Sequence, residues 1–203
     1  MDIIKIKDTL KFIGQYITHP RSVGAIRPSS PALAKGMLSK VNFEKAHCIA
    51  ELGPGTGVFT AGLVEALKSS QQLFVFEVNA EFVNILRERY ALHPNVHIIH
   101  DSAANMAQHL AEYGVSRVEF IVSGLPFASL PAEVSEAILT AARDCLHPRG
   151  RFITFQYTLL KKRLIARYFP DIRISKVMKN LPPAYIFTCR KQSAQTQIAA
   201  NGK

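Results

Sequence analysis

Beyond residue 47 the chain alternates between two hydrophobic rhythms. Residues 48–52, 73–78, 96–100, 118–122, 152–157, 172–178 and 184–189 form short runs rich in β-branched and aromatic side chains, which predict strands. Between the earlier runs, residues 58–68, 79–90, 105–113 and 132–146 space apolar side chains three and four apart, the signature of one buried helix face. Asn79 stands where its side-chain oxygen can cap the second of these helices. His93-Pro94-Asn95 and His147-Pro148-Arg149-Gly150 read as turns. Apolar strands alternating with helices predict an α/β fold with a mainly parallel, doubly wound sheet covered on both faces. After residue 150 the rhythm changes to strands with one short helix among them, which predicts an antiparallel hairpin at one edge. No internal repeat is visible, and the polar stretch KQSAQTQIAANGK, residues 191–203, predicts a disordered tail.

The first residues carry a different pattern. In MDIIKIKDTLKFIGQYI, the side chains Ile3, Ile6, Leu10, Ile13 and Ile17 fall on one helical face, with Phe12 and Tyr16 at its margins and Lys5, Lys7 and Lys11 off the stripe. Such an amphipathic helix can lie in a membrane interface or pack on its own domain, and the pattern alone leaves both open. No apolar run reaches the length of a membrane span, and the lysines interrupt any cleavable signal.

Length and charge narrow the classes. The 203 residues predict one domain. The net charge of +10 is unevenly placed: residues 1–50 hold eight Lys/Arg against three Asp/Glu, residues 51–150 six against eleven, and residues 151–203 eleven against one. Two basic ends around an acidic centre favour a polyanionic partner, nucleic acid or an anionic membrane. Cys48, Cys145 and Cys189 are widely spaced and odd in number, which predicts no metal site, no disulfide framework and a cytoplasmic setting.

The chemistry begins with IAELGPGTGVFT, residues 49–60, where Gly53, Gly55, Thr56 and Gly57 bridge a strand and a helix. Glycines let a ligand approach the backbone, and the helix start beyond offers free N–H groups. No Gly-Lys-Ser/Thr follows, so this is not a P-loop. Glu77 ends the second strand with Val78 behind it, where an acid can accept both ribose hydroxyls. Asp101, Ser102 and Ala103 end the third strand, where an acid and backbone groups can meet an adenine amino group. Glu51 precedes the glycines and suits a cationic amino-acid end, which a nicotinamide cofactor would not need. Together these residues resemble the E/D-x-G-x-G-x-G arrangement of the class I S-adenosylmethionine-dependent methyltransferases.

In that resemblance the end of the fourth strand borders the transferable methyl. Here FIVSGLPFASLP, residues 120–131, supplies Ser123, Gly124 and Leu125 followed by Pro126 and Phe127. The Leu-Pro-aromatic sequence is similar to the Asn-Leu-Pro-Tyr of ribosomal RNA adenine dimethylases, with Gly124 in place of the Asn. An Asn carbonyl would hold an amide-like base nitrogen. An alkyl amine needs no such help once deprotonated, and a glycine there leaves room for a bulkier head group. The basic ends add candidates for that head group. Arg21 and Arg27 carry guanidinium forks suited to phosphate, joined by Ser29 and Ser30, which can equally cap a helix near Pro31. Tyr157 and Tyr185 can bracket a methylated ammonium by cation–π attraction. Lys161, Lys162, Arg163 and Arg167 form a basic helix face.

The stretches FIGQYITHPRSVGAIRPSSPALAKGML, ELGPGTGVFT, SGLPFASLP, FQYT and NLPPAYIF resemble the bacterial phospholipid N-methyltransferase family across nearly the whole chain. The resemblance implies a seven-stranded sheet of order 3-2-1-4-5-7-6 with strand 7 antiparallel. It divides the chain into a membrane- and substrate-binding helical segment (residues 1–40), a methyltransferase domain (41–190) and a tail (191–203). It implies S-adenosylmethionine as cofactor, leaving S-adenosylhomocysteine. The acceptor would be phosphatidylethanolamine, carried through mono- and dimethyl forms toward phosphatidylcholine. The implied setting is a monomer peripherally bound at the inner membrane, with an anionic surface and no nucleic acid as partner. Tyr16, Tyr157 and Tyr185 are the candidates for assisting the amine. The alternatives are a ribosomal RNA adenine N6-methyltransferase and a catalytically idle cofactor sensor.

Overall fold

The computed structural model describes residues 30–191. Seven strands, β1 (Cys48–Leu52), β2 (Gln72–Glu77), β3 (Val96–His100), β4 (Val118–Ser123), β5 (Leu146–Gln156), β6 (Asp171–Val177) and β7 (Ala184–Arg190), form one sheet in the order β3-β2-β1-β4-β5-β7-β6. The first five run parallel, and β7 is antiparallel to both of its neighbours. The described helices are α1 (Pro31–Leu38), α2 (Val58–Ala66), α3 (Ala80–Arg89), α4 (Met106–Glu112), α5 (Ala132–Cys145) and α6 (Lys162–Tyr168). None of them is long and apolar enough to cross a membrane.

The strand sequences read as continuous apolar runs because both faces of the sheet are covered. Ile49, Val75, Val122 and Ile153 pack with Leu33 and Met37 of α1, Phe59 and Leu63 of α2, and Leu86 of α3. The alternate residues, among them Ala50, Phe74, Phe76, Ile121 and Phe152, pack with Met106 and Leu110 of α4, Leu139 of α5 and Ile165 of α6. Local chemistry sets the helix starts. The Asn79 carboxamide oxygen accepts from the Glu81 and Phe82 N–H groups, as its position predicts. Ser30 Oγ accepts from Leu33 N–H at 3.2 Å, and Pro31 occupies the first turn of α1.

The expected turn at residues 147–150 is not a break. β5 already begins at Leu146, and its register against β4 shifts between Val118 and Phe120. Pro148 and Gly150 carry the signals of a turn but serve an irregularity within an extended strand. Gly150 lies so close to β4 that a Cβ there would stand 2.6 Å from the Glu119 carbonyl oxygen. The leading helix expected before residue 18, Tyr16, Arg21, Arg27, Ser29 and most of the tail lie outside the described residues.

Candidate cofactor and acceptor site

The carboxyl ends of β1 to β4 converge on a cleft. Such crevices are where open α/β sheets bind ligands. The glycine turn after β1 forms one wall. Gly53 and Gly55 have φ of 66° and 56°, the left-handed region that side chains resist. Gly53 N–H donates to Phe76 O at 3.0 Å, which ties the turn to β2.

Glu77, at the end of β2, is 1 % exposed. One carboxylate oxygen accepts from the Val78 and Asn79 N–H groups at 2.8 and 2.9 Å, and the other from Gly55 N–H at 3.2 Å. Burial still raises its pKa above the ordinary carboxylate value, against the lowering by those bonds. The backbone therefore aims Glu77 and keeps lone pairs for a further donor.

Asp101, after β3, is held from behind. Its carboxylate accepts from Ser102 N–H at 2.6 Å, from Asn105 Nδ2 at 3.1 and 3.0 Å, and lies 2.8 Å from His109 Nε2. Partial burial alone would raise its pKa, but the bonds from His109, Asn105 and Ser102 hold it below the usual value. Neither Asn105 nor His109 was singled out from the sequence, although both follow Asp101 at helical steps of four.

Glu51 is fully buried, and neither of its carboxylate oxygens has a hydrogen-bond partner among the described residues. Burial pushes its pKa up to about 8, against a lowering by neighbouring Thr60, whose hydroxyl and N–H favour the charged form without making a well-formed bond to it. An unpartnered carboxyl at this depth is costly unless a cation or donor arrives.

Of the cofactor candidates, Gly53, Glu77, Val78, Asp101, Ser102, Ala103 and Leu125 line the cleft. Glu51 lies within β1 and Ser123 ends β4, while Gly55, Thr56, Gly57 and Gly124 belong to the adjoining turns; none of the six lines it. Phe76, Leu130 and Ile138 complete the wall and were missed. Their apolar side chains look like core in a sequence, although Leu130 sits in the same proline-rich stretch as Gly124.

The turn after β4 revises one expectation. A Cβ on Gly124 would stand 2.5 Å from Gly53 O. The space beside Gly124 is thus filled by the first glycine turn and is not room for a head group. Gly124 N–H donates to Leu52 O at 2.9 Å, and Ser123 Oγ accepts from Leu125 N–H at 3.3 Å. Gln156 Nε2 donates to Leu125 O at 3.1 Å and pins the turn to β5. Phe127 is fully buried, its ring 6.2 Å from that of Phe152, so it offers no face to a base or a cation.

The two candidate tyrosines separate. Tyr157 packs on the α1–α3 side, 5.6 Å from Phe155, whereas Tyr185 packs on the α4–α6 side beneath Lys176 Nζ at 5.7 Å. They do not lie side by side as a bracket for one ammonium. Ser30 Oγ is engaged in capping α1 and in donating to Lys179 O.

The residues present fit S-adenosylmethionine. Glu77 suits ribose hydroxyls, the Asp101–Ala103 turn an adenine edge, apolar Phe76 and Leu130 its ring faces, and unpartnered Glu51 an ammonium. Comparison with known proteins agrees. The family model described as ribosomal RNA adenine dimethylase matches residues 29–169. An ornithine lipid N-methyltransferase of Singulisphaera acidiphila is 30 % identical over 187 residues, covering 91 % of this chain and 97 % of that protein. A ribosomal RNA small subunit methyltransferase A of Dehalococcoides mccartyi is 26 % identical over 114 residues, 53 % of this chain but 35 % of its own length. A T. thermophilus 16S rRNA N2 methyltransferase, solved with AdoMet and guanosine, superposes with a TM-score of 0.63 at 21 % identity, covering 84 % of this chain and 45 % of that one. A precorrin-6y methyltransferase of Geobacter metallireducens gives 0.62 at 15 % identity, over 79 % and 87 %. The chain belongs to the ribosomal RNA adenine dimethylase family of class I S-adenosylmethionine-dependent methyltransferases.

Proposed function

We propose that the chain methylates the primary amine of a membrane aminolipid, with phosphatidylethanolamine as acceptor and mono-, di- and trimethylated head groups as products. The observation that carries this reading is the turn after β4. Gly124 is pressed against Gly53 O and Phe127 is sealed in the core, so neither position offers a side chain to hold a planar base. An alkyl amine needs neither. The Singulisphaera relative, a lipid N-methyltransferase by name, supports an amine on a lipid.

The cofactor supplies a methyl group activated on sulfonium. The chain's own work is to hold and to exclude. Glu77, Asp101 and Ser102 hold the nucleoside, and Glu51 balances the ammonium at its other end. Leu125, Leu130 and Ile138 keep water from the cleft, which favours a near-attack arrangement in a desolvated site. The incoming ethanolamine must first lose a proton. One of Tyr16, Tyr157 and Tyr185, or the lipid phosphate held by Arg21, Arg27 and Ser29, assists that loss; Tyr157 and Tyr185 pack on opposite faces of the sheet and do not act together on one nitrogen. Ser30 contributes to the phosphate grip only by giving up its contact with Lys179 O.

A second reading keeps the chemistry and changes the lipid. The relative's name favours an ornithine lipid. Incubating the full chain with radiolabelled S-adenosylmethionine and, separately, phosphatidylethanolamine vesicles, ornithine-lipid vesicles or ribosomal RNA distinguishes the cases. Label in methylated phosphatidylethanolamines is expected. Label confined to ornithine lipid transfers the activity to the second reading, and label confined to RNA overturns both.

A further inference from the structure

Two loops beside the site leave large apolar side chains bare. After β5, Leu159 is 46 % and Leu160 82 % exposed; between β6 and β7, Met178 is 65 % and Leu181 72 % exposed. Both loops lie at one end of the sheet. β5 and β6 run in the same direction because each is antiparallel to β7, and the register sets Gln156, Tyr185 and Lys176 level. It is the end that holds the cleft, since Gln156 reaches across to Leu125 O. A single exposed leucine is unremarkable, but three leucines and a methionine in two adjacent loops are not.

Cations surround them. Lys162, Arg163, Lys176 and Lys179 are exposed, and none has an acidic partner among the described residues. Arg167, further along α6, differs in pairing with Glu136 at 2.6 Å. Asp171 is the one acid after residue 150. The chain before Ser30 also joins the fold here: Ser30 N–H donates to Asn180 Oδ1 and Ser30 Oγ to Lys179 O, both at 3.2 Å. The 29 residues that enter at this point carry the apolar stripe of Ile3, Ile6, Leu10, Ile13 and Ile17.

We propose that Leu159, Leu160, Met178 and Leu181 form a membrane-docking rim that seats in the interface of an anionic bilayer, with Lys162, Arg163, Lys176 and Lys179 on its head groups. Bare leucines interleaved with lysines suit a surface that is greasy below and anionic above. A nucleic acid would reward the cations and leave the leucines in water. This rests on the aminolipid reading for its purpose: a cleft beside a seated rim receives a head group that never leaves the bilayer.

The test uses the full chain and vesicles of phosphatidylglycerol with diacylglycerol, which contain neither the substrate amine nor its methylated products, so it is independent of what the enzyme methylates. Leu160→Asp with Leu181→Asp should weaken vesicle cosedimentation roughly tenfold or more while leaving S-adenosylmethionine binding within about twofold. Lys162→Glu with Lys179→Glu, which spares the apolar positions, should weaken it too and flatten its salt dependence. Vesicle binding by both variants at the level of the unaltered chain overturns the rim, as does a loss of RNA binding instead. Methylation of a short-chain, monomeric phosphatidylethanolamine should be unchanged in both; an equal loss there means that these residues serve the cleft, which also overturns the rim. Failure of the unaltered chain to methylate any aminolipid, with vesicle binding still lost in the variants, sinks the proposed function and leaves the rim standing.

Discussion

Gly124→Ala is the sharpest test of how this site is built. The added methyl would lie 2.5 Å from Gly53 O, and relief to an ordinary contact of 3.4 Å requires a displacement of about 0.9 Å. Neither side yields easily. Gly53 is fastened by its N–H to Phe76 O and Gly124 by its N–H to Leu52 O, at 3.0 and 2.9 Å. Overpacking of this kind costs about 1–3 kcal/mol. For a chain of this size that lowers Tm by roughly 2–12 °C. Because Gly53 lines the cleft, the same displacement should weaken S-adenosylmethionine binding, measured by calorimetry beside thermal unfolding. Gly55→Ala separates the causes. It carries the penalty of a positive φ, about 1–2 kcal/mol, with no atom within 4 Å of the new methyl. A Gly124→Ala protein with unaltered Tm and cofactor affinity would refute the close approach, and an active Gly124→Asn enzyme would remove the case against a nucleobase acceptor.

Two further outcomes follow from Glu51 and Asp101. The pKa of Glu51 rises from 4.5 to about 8 on folding, so the folded state keeps a proton that the unfolded chain releases between those values. Stability of the cofactor-free protein should therefore fall as pH rises across that window, and Glu51→Gln should flatten the decline while weakening S-adenosylmethionine binding; parallel Tm–pH curves for the two proteins would count against it. Asp101 has the opposite sign: its depressed pKa gives stability present above the ordinary carboxylate value and lost as pH falls through the folded one. His109→Ala should cost about 1 kcal/mol at neutral pH and reduce cofactor affinity severalfold, with His109→Gln restoring most of both through a replacement donor; equal binding by all three proteins would dismiss the positioning role.

Much of the sheet was legible because a parallel strand covered on both sides must be apolar throughout, and the runs around Ile49, Phe74 and Ile121 are. The helix start at Asn79 was legible because capping is a local bond. What escaped depends on neighbours distant in sequence. Pro148 and Gly150 signal a turn locally, and they form a bulge that the strand continues past: β4 pairs with Leu146 and again with Arg151, and with none of residues 147–150. Gly124 reads as a gap until Gly53 O is seen filling it. Tyr157 follows β5 and Tyr185 lies at the start of β7, level with Gln156, so strand parity sends their rings to opposite cores. Glu51, Glu77 and Asp101 could be named because acids at strand ends are conspicuous, whereas Phe76, Leu130 and Ile138 are indistinguishable from core until a cleft opens beside them.

The amide of Gln156 has a mechanical consequence. By grasping the Leu125 carbonyl, it makes the tip of β5 a gauge for the height of the neighbouring turn. A one-residue slip of β5 would swing that amide to the far side of the sheet and release the Leu125 corner of the cleft. Lengthening the β6–β7 connection would leave the gauge untouched. Tolerance of insertions should therefore differ sharply between two segments that share an edge of the molecule.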